Sequence, residues 1–238
     1  MRVRPRLFAL TAVMLALALA LPLGAAPDDK PRPPEAAARH LYGIPAGVDL
    51  EKLVGKPKLA STFYYLFNDP ASSERRLAGY AEVHAVFDIP LEQLVAVSLD
   101  FESYPSYVPR IMSTSILTCD ESSWQLHYNV GIKFMGLGVE YESIFETVRE
   151  TLPAGAVGTR SRLVRSIDQA EFEHFTSYYF CPVMINGKVM TFVRYFNRPG
   201  VIGPTPGMLQ VLNLFAAPEA KGQVSALAKE AVRRSKLL

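Results

Sequence analysis

Between residues 111 and 196 the sequence holds six runs of strand character separated only by short turn-forming segments. They are Ile111 to Thr118, Trp124 to Val130, Val139 to Arg149, Gly158 to Ile167, Phe172 to Cys181 and Lys188 to Phe196. A parallel pair needs a crossover of a dozen residues or more, so strands this closely spaced pair antiparallel as a meander. The clearest turn is Asn186-Gly187, a dipeptide that readily adopts the positive φ angles of a two-residue hairpin. Pro182, which has no N–H to give a ladder, marks a bulge or the end of pairing.

The flanks of this meander are equally informative. Ala78 to Ile89 alternates as a strand, with Val83, Ala85 and Phe87 on one side and Glu82, His84 and Asp88 on the other. Pro90 suits the first position of a helix carrying Leu91, Leu94, Val95, Ser98 and Leu99 at helical spacing. Asp100 to Pro109, rich in Tyr and Pro, predicts a second short helix or turn. The chain closes with Met208 to Phe215 and Glu219 to Lys236, where Leu209, Leu212, Phe215, Val224, Leu227, Ala228 and Ala231 recur every three or four residues. This is a long amphipathic helix, kinked or broken at Pro218. The order of strand, two short helices, six strands and long helix defines an α+β domain of about seven strands and excludes a parallel doubly wound sheet.

The first 25 residues stand apart. Arg2, Arg4 and Arg6 precede an apolar stretch from Leu7 to Leu21, interrupted by Thr11, and Leu23-Gly24-Ala25-Ala26 supplies small residues for cleavage. That layout is a secretory signal, with cleavage expected after Ala25 and a periplasmic or secreted destination. The apolar run is shorter than the ~20 residues a spanning helix needs. The formal charge of +2 then loses three arginines and no acid, leaving −1 on residues 26–238. Such a chain has no positive field for nucleic acid. Residues 26–75, with Pro27, Pro31, Pro33, Pro34, Pro45 and Pro57, read as a Pro-rich arm in which Thr62 to Phe67 forms a strand or short helix. The compact domain is placed at 76–238. In an oxidising compartment Cys119 and Cys181 either bridge or remain as free, buried thiols.

No catalytic signature is present: there is no Gly-x-Ser-x-Gly, no His-Glu-x-x-His, no paired cysteine ligands and no dinucleotide fingerprint. His84, His127 and His174 fall on three separate strands and are each read as pointing away from the apolar face, so neither a metal nor a cofactor is expected.

The stretch Phe87-Asp88-Ile89-Pro90, its following helix, and Asp100-Phe101-Glu102-Ser103-Tyr104-Pro105 resembles the opening of the START-like, or helix-grip, superfamily. That superfamily includes START lipid-transfer domains and polyketide cyclases and dehydrases. The resemblance covers about residues 76–238; a departure is Val97, near where many members carry a Trp. It implies a curved antiparallel sheet gripping the C-terminal helix, with a cavity between them for a hydrophobic small molecule or lipid. The side chains proposed to line that cavity are Tyr104 and Tyr107 from the Tyr-Pro turn, and Trp124, Tyr128, Tyr141, Phe145 and Tyr178 from strand stripes, Tyr178 belonging to the stripe of Phe172, Tyr178 and Phe180. Phe192 and Arg194 join them from the stripe ending at Phe196, with Met208 and Leu212 covering that stripe from the helix. Ordinary core packing is the alternative for each aromatic, and Arg194 is alternatively buried against Glu140, Glu142 or Glu173.

Gly131 to Gly138 displays Phe134, Met135 and Leu137, which suits a cavity mouth, a lid or a transient membrane contact, or else a wide hairpin folded back on the core. Three functions follow: an exported carrier of a hydrophobic molecule, a cyclase or dehydrase using the same cavity, or a cell-envelope interaction module. The first is the expectation.

Overall fold

Each of the six strand runs pairs antiparallel with the next, and the last returns to pair with the strand that opens the domain. The computed structural model describes residues 42–134 and 137–237, with the side chains of 132–139 left outside. The elements are β1 (Lys58–Asn68), β2 (Arg75–Phe87), α1 (Leu91–Leu99), α2 (Tyr104–Tyr107), β3 (Ile111–Cys119), β4 (Ser123–Phe134), β5 (Leu137–Thr151), β6 (Val157–Ser166), β7 (Glu171–Ile185), β8 (Lys188–Ile202) and α3 (Met208–Ser235). They form one eight-stranded sheet in the order β1-β2-β8-β7-β6-β5-β4-β3. Asn186 and Gly187 both take positive φ, 50° and 76°, and join β7 to β8 as the dipeptide predicts.

The folded unit reaches further toward the N-terminus than residue 76. Thr62 to Phe67 lies in β1, which pairs with β2 from Lys58↔His84 to Asn68↔Arg75. Aromatic and β-branched side chains on alternate faces favour this extended form: Tyr64 and Leu66 turn toward α3, and Phe63, Tyr65 and Phe67 stack along the opposite face. Gly79, opposite Tyr64, is required by space, since a Cβ there would lie 2.3 Å from both the Phe63 carbonyl and the Tyr64 ring. Residues 42–57 also belong to the fold. Val48, Leu50 and Leu53 pack on Val86, Tyr179, Cys181 and Phe192, and the Gly55 amide donates to the Val86 carbonyl at 2.8 Å.

These contacts define the two faces of the sheet. Toward α3, Ala81, Val83, Ala85, Phe180, Val193 and Tyr195 meet Leu94 and Val97 of α1 and Val224, Leu227 and Ala231 of α3 in the main core. We call this the inner face. Full burial of a side chain such as Phe180 is worth roughly 2–3 kcal/mol. The helix lies chiefly over β1 and β2, leaving the inner face of β4 to β7 to smaller cover from α1 and α2.

Four local expectations are corrected. Pro182 ends nothing: β7 continues to pair with β8 through Ile185, because β6 stops opposite Phe180 and the missing N–H has no second neighbour to serve. Pro90 caps α1 from outside instead of starting it. Pro218 is carried within an unbroken α3, where the carbonyl it leaves unpaired belongs to Leu214, 69% exposed and open to water. A bulge between Glu171 and Glu173 turns Phe172 to the outer face, against Phe67 and Arg76, and so removes it from the stripe of Tyr178 and Phe180.

Cys119 and Cys181 are both free. Their strands stand four places apart in the sheet at about 4.8 Å per place, beyond the ~7 Å limit for a disulfide. The proposed signal at 1–25, most of the Pro-rich arm, and the side chains of Phe134, Met135 and Leu137 lie outside the described residues. No described helix is long and apolar enough to cross a membrane.

A polar belt on the inner face

Strand parity carries four chemically distinctive residues of β5, β7 and β8 onto the inner face, and a bulge adds a fifth. His174 and Thr176 alternate with Tyr178 and Phe180 along β7, Asn197 follows Tyr195 along β8, and Ser143 precedes Phe145 on β5. Glu171, just before the bulge, turns to the same side. The His174 ring lies edge-on to Phe145 at 5.1 Å, which places it among the inner aromatics.

Hydrogen bonds join these groups into a chain. His174 Nδ1 sits 2.7 Å from Glu171 Oε1, and the other carboxylate oxygen accepts from the Ser143 hydroxyl at 2.7 Å. His174 Nε2 lies 2.9 Å from Asn197 Oδ1, which also accepts from the Thr176 hydroxyl at 2.9 Å. Within the same span, Thr147 of β5 and Ser161 of β6 share a hydroxyl contact of 2.7 Å. A belt of small polar side chains therefore crosses a surface that core packing alone would fill with aliphatics.

Burial acts against charge on this pair, and pairing overcomes it. Burial pushes Glu171 up, but the His174 charge, its hydrogen bond and that of Ser143 bring the carboxyl below its ordinary value. Burial pushes His174 down, and the Glu171 carboxylate followed by the bonds to Glu171 and Asn197 carries it above its ordinary value. The signs give a pH prediction. The raised His174 adds stability that is complete below about pH 6.5 and is lost as pH rises through its folded value; the lowered Glu171 adds stability complete above about pH 4.5 and lost as pH falls through its own. Melting temperatures measured from pH 4 to 9 should decline above about pH 6.5, and His174→Gln should flatten that alkaline limb; an unchanged limb would contradict the pairing.

Around the belt stand the tyrosines. The Tyr104 hydroxyl donates to the Ser98 carbonyl at 2.5 Å, and that of Tyr107 to the Val97 carbonyl at 2.8 Å, fastening α2 to α1. Tyr104 lies 6.4 Å from the Tyr128 ring, Tyr128 meets Phe145 at 5.5 Å, and Tyr178 meets Tyr195 at 4.7 Å. Burial raises Tyr128, Tyr178 and Tyr195 far above ordinary phenols, so they act as neutral donors. Their hydroxyls have no hydrogen-bond partner among the described residues. A recess of about 470 Å³ opens at one end of this face, between Pro109, Arg110, Met112, Gly131 and Glu219. The Arg110 guanidinium and Glu219 carboxylate pair across it at 2.6 Å.

The proposed lining residues divide accordingly. Tyr104, Tyr107, Trp124, Tyr128, Phe145 and Tyr178 gather on the inner side, with Trp124 edge-on to Phe101 at 5.5 Å. Tyr141 is buried on the same strand face as Ser143, its phenol pushed up to about 12 by burial and then by Glu171. Met208 and Leu212 pack with Tyr64, Leu66 and Leu77 at the β1–β2 end. Phe192 and Arg194 point the other way: Phe192 is fully buried beneath the segment carrying Leu53, and Met208 and Leu212 do not cover it. Alternation explains this, since Val193 and Tyr195 take the inner positions.

Arg194 is paired, but its partner is Glu82 on β2, not Glu140, Glu142 or Glu173. Its Nε donates to Glu82 Oε1 at 2.7 Å and Nη1 to the Gly43 carbonyl at 3.3 Å, while His84 Nε2 reaches the same Glu82 oxygen at 2.6 Å. The three histidines are not brought together; His84, His127 and His174 pair with Glu82, Glu142 and Glu171 respectively. His84 and His127 turn outward as expected, whereas His174 turns inward. No cluster of metal-ligating side chains occurs among the described residues.

A curved antiparallel sheet, short helices after β2 and a long C-terminal helix laid across the inner face constitute the START-like, helix-grip fold. Solved structures that share it include the following. The STAR-related lipid transfer protein of Xanthomonas axonopodis is 14% identical over 74% of this chain and 98% of its own, with a TM-score of 0.51. Human StAR-related lipid transfer protein 5 is 11% identical over 76% and 88%, with a TM-score of 0.55. A Thermus thermophilus protein is 12% identical over 66% and 99%, with a TM-score of 0.52. No protein-family model matches the sequence, and no curated protein matches it.

Proposed function

We propose that this protein is an exported, soluble carrier that holds a hydrophobic small molecule or lipid between the inner face of the sheet and α3. The observation that carries this reading is the set of hydroxyls on Tyr128, Tyr178 and Tyr195, which have no hydrogen-bond partner among the described residues and stand within an aromatic-lined interior. A packed core would leave no such donors, whereas a ligand cavity is mostly apolar with a few polar groups that orient its occupant. The lipid-transfer names of the Xanthomonas axonopodis and human proteins agree with it.

Binding is favoured over cyclase or dehydrase chemistry because both His174 nitrogens are engaged by Glu171 and Asn197, leaving that imidazole no lone pair for a substrate proton. Export rests on the signal-like residues 1–25, and a brief membrane contact through Phe134, Met135 and Leu137 would let an apolar cargo enter. The test is uptake of the neutral dye N-phenyl-1-naphthylamine. Saturable one-to-one binding with a blue-shifted emission is expected, weakened when Thr176→Phe fills the space above the belt; absence of uptake by a folded protein contradicts the reading.

A further inference from the structure

We propose that Asn197 selects the polar end of the ligand: its amide NH₂ faces the space under α3, so the site takes a neutral hydrophobic molecule ending in an oxygen acceptor, a carbonyl or a hydroxyl. This rests on the carrier reading above and adds the chemical class of the cargo.

The orientation of the amide follows from the chain of hydrogen bonds, beginning at the group that can only accept. The Glu171 carboxylate accepts from Ser143 and from His174 Nδ1. His174 Nε2 lies 2.9 Å from Asn197 Oδ1, an atom that can only accept, so Nε2 is the donor of that bond. Thr176 donates to the same oxygen. With both lone pairs of Oδ1 taken, the carbonyl end of Asn197 is turned into the belt and the NH₂ end is turned out of it.

That NH₂ has no partner among the described residues. Asn197 is half-buried and follows Tyr195 on the inner strand face, the same side as the free hydroxyls of Tyr178 and Tyr195. An apolar occupant without an acceptor would desolvate these donors and return nothing, which costs affinity. A carboxylate would supply an acceptor, but the two charges bonded into the belt, His174 and Glu171, already neutralise each other. A third charge would be buried without a counter-ion.

The test compares three seventeen-carbon compounds as displacers of N-phenyl-1-naphthylamine from the full chain: heptadecane, 2-heptadecanone and heptadecanoate. The ketone is expected to bind about tenfold more tightly than the alkane, the loss a typical unsatisfied donor imposes, and more tightly than the carboxylate. Asn197→Leu should abolish the preference, so that ketone and alkane bind alike. Thr176→Val, which keeps the backbone and the volume of the belt, releases one of the two bonds that hold Oδ1 and should reduce the preference part-way, so a folding defect in Asn197→Leu would not remove the test. Equal binding of ketone and alkane by the wild type, tightest binding of heptadecanoate, or a preference that survives both substitutions overturns the role of Asn197 and leaves the carrier reading standing. Failure of all three compounds and of the dye to bind overturns both.

Discussion

Glu171→Leu is expected to lower the stability of the folded protein by about 3 kcal/mol, the lower end of the cost of breaking a buried ion pair by removing one partner. The lower end applies because His174 can shed its proton and so avoid a naked buried charge. What it cannot avoid is the loss of its Nδ1 partner, while Ser143 loses its acceptor on the same carboxylate. The double replacement Glu171→Leu with His174→Phe removes both ends of the pair and should recover most of the loss, since an apolar pair of similar volume often matches a buried ion pair. Urea denaturation of the wild type, both single variants and the double variant closes the cycle. A double variant no more stable than Glu171→Leu would show that the belt is not held by this pair.

Arg194→Leu carries a loss of similar size, about 3 kcal/mol, with the opposite consequence for function. Arg194 and Glu82 have side chains only 13% and 12% exposed, and they are covered by the N-terminal segment that supplies the Gly43 carbonyl. Burial pushes Glu82 up, and His84 and Arg194 together hold it below its ordinary value. Without the guanidinium, Glu82 keeps only His84. Because this cluster lies across the sheet from the belt, the variant, where folded, should bind the dye and the ketone with unchanged affinity. A change in head-group preference without a change in stability would return Arg194 to the cavity.

The two pairs show what strand patterns convey and what they omit. The meander, the Asn186-Gly187 turn and the long C-terminal helix are local signals, written in spacing and turn chemistry. Parity along β8 already separates Arg194 from Tyr195, but a stripe of Phe, Arg and Phe does not state which face is concave, and only the packing of Leu53 over Phe192 and of Val224 over Val193 decides it. His174 and Thr176 alternate in step with Tyr178 and Phe180, aromatics proposed for the cavity, so the inward turn of His174 was legible in parity even though its apolar neighbours were read as turning it outward. Phe172 broke that stripe through a bulge that leaves no mark in composition. Glu82 as the partner of Arg194 is a diagonal cross-strand contact between β2 and β8, more than a hundred residues apart in sequence, and no local signal specifies it. β1 was hidden for a related reason: TFYYLF is apolar on both faces, and its two-sided burial against α3 and the outer aromatic stack emerges only once β2 is placed beside it.

The central claim is that the interior beneath α3 holds an apolar molecule. Native mass spectrometry of the full chain, purified without detergent and then exposed to a total lipid extract, tests it most directly. The account predicts a second charge-state series displaced by the mass of one retained neutral lipid, lost on competition with 2-heptadecanone. A single series at the mass of the bare protein, from a sample shown to be folded, would contradict it.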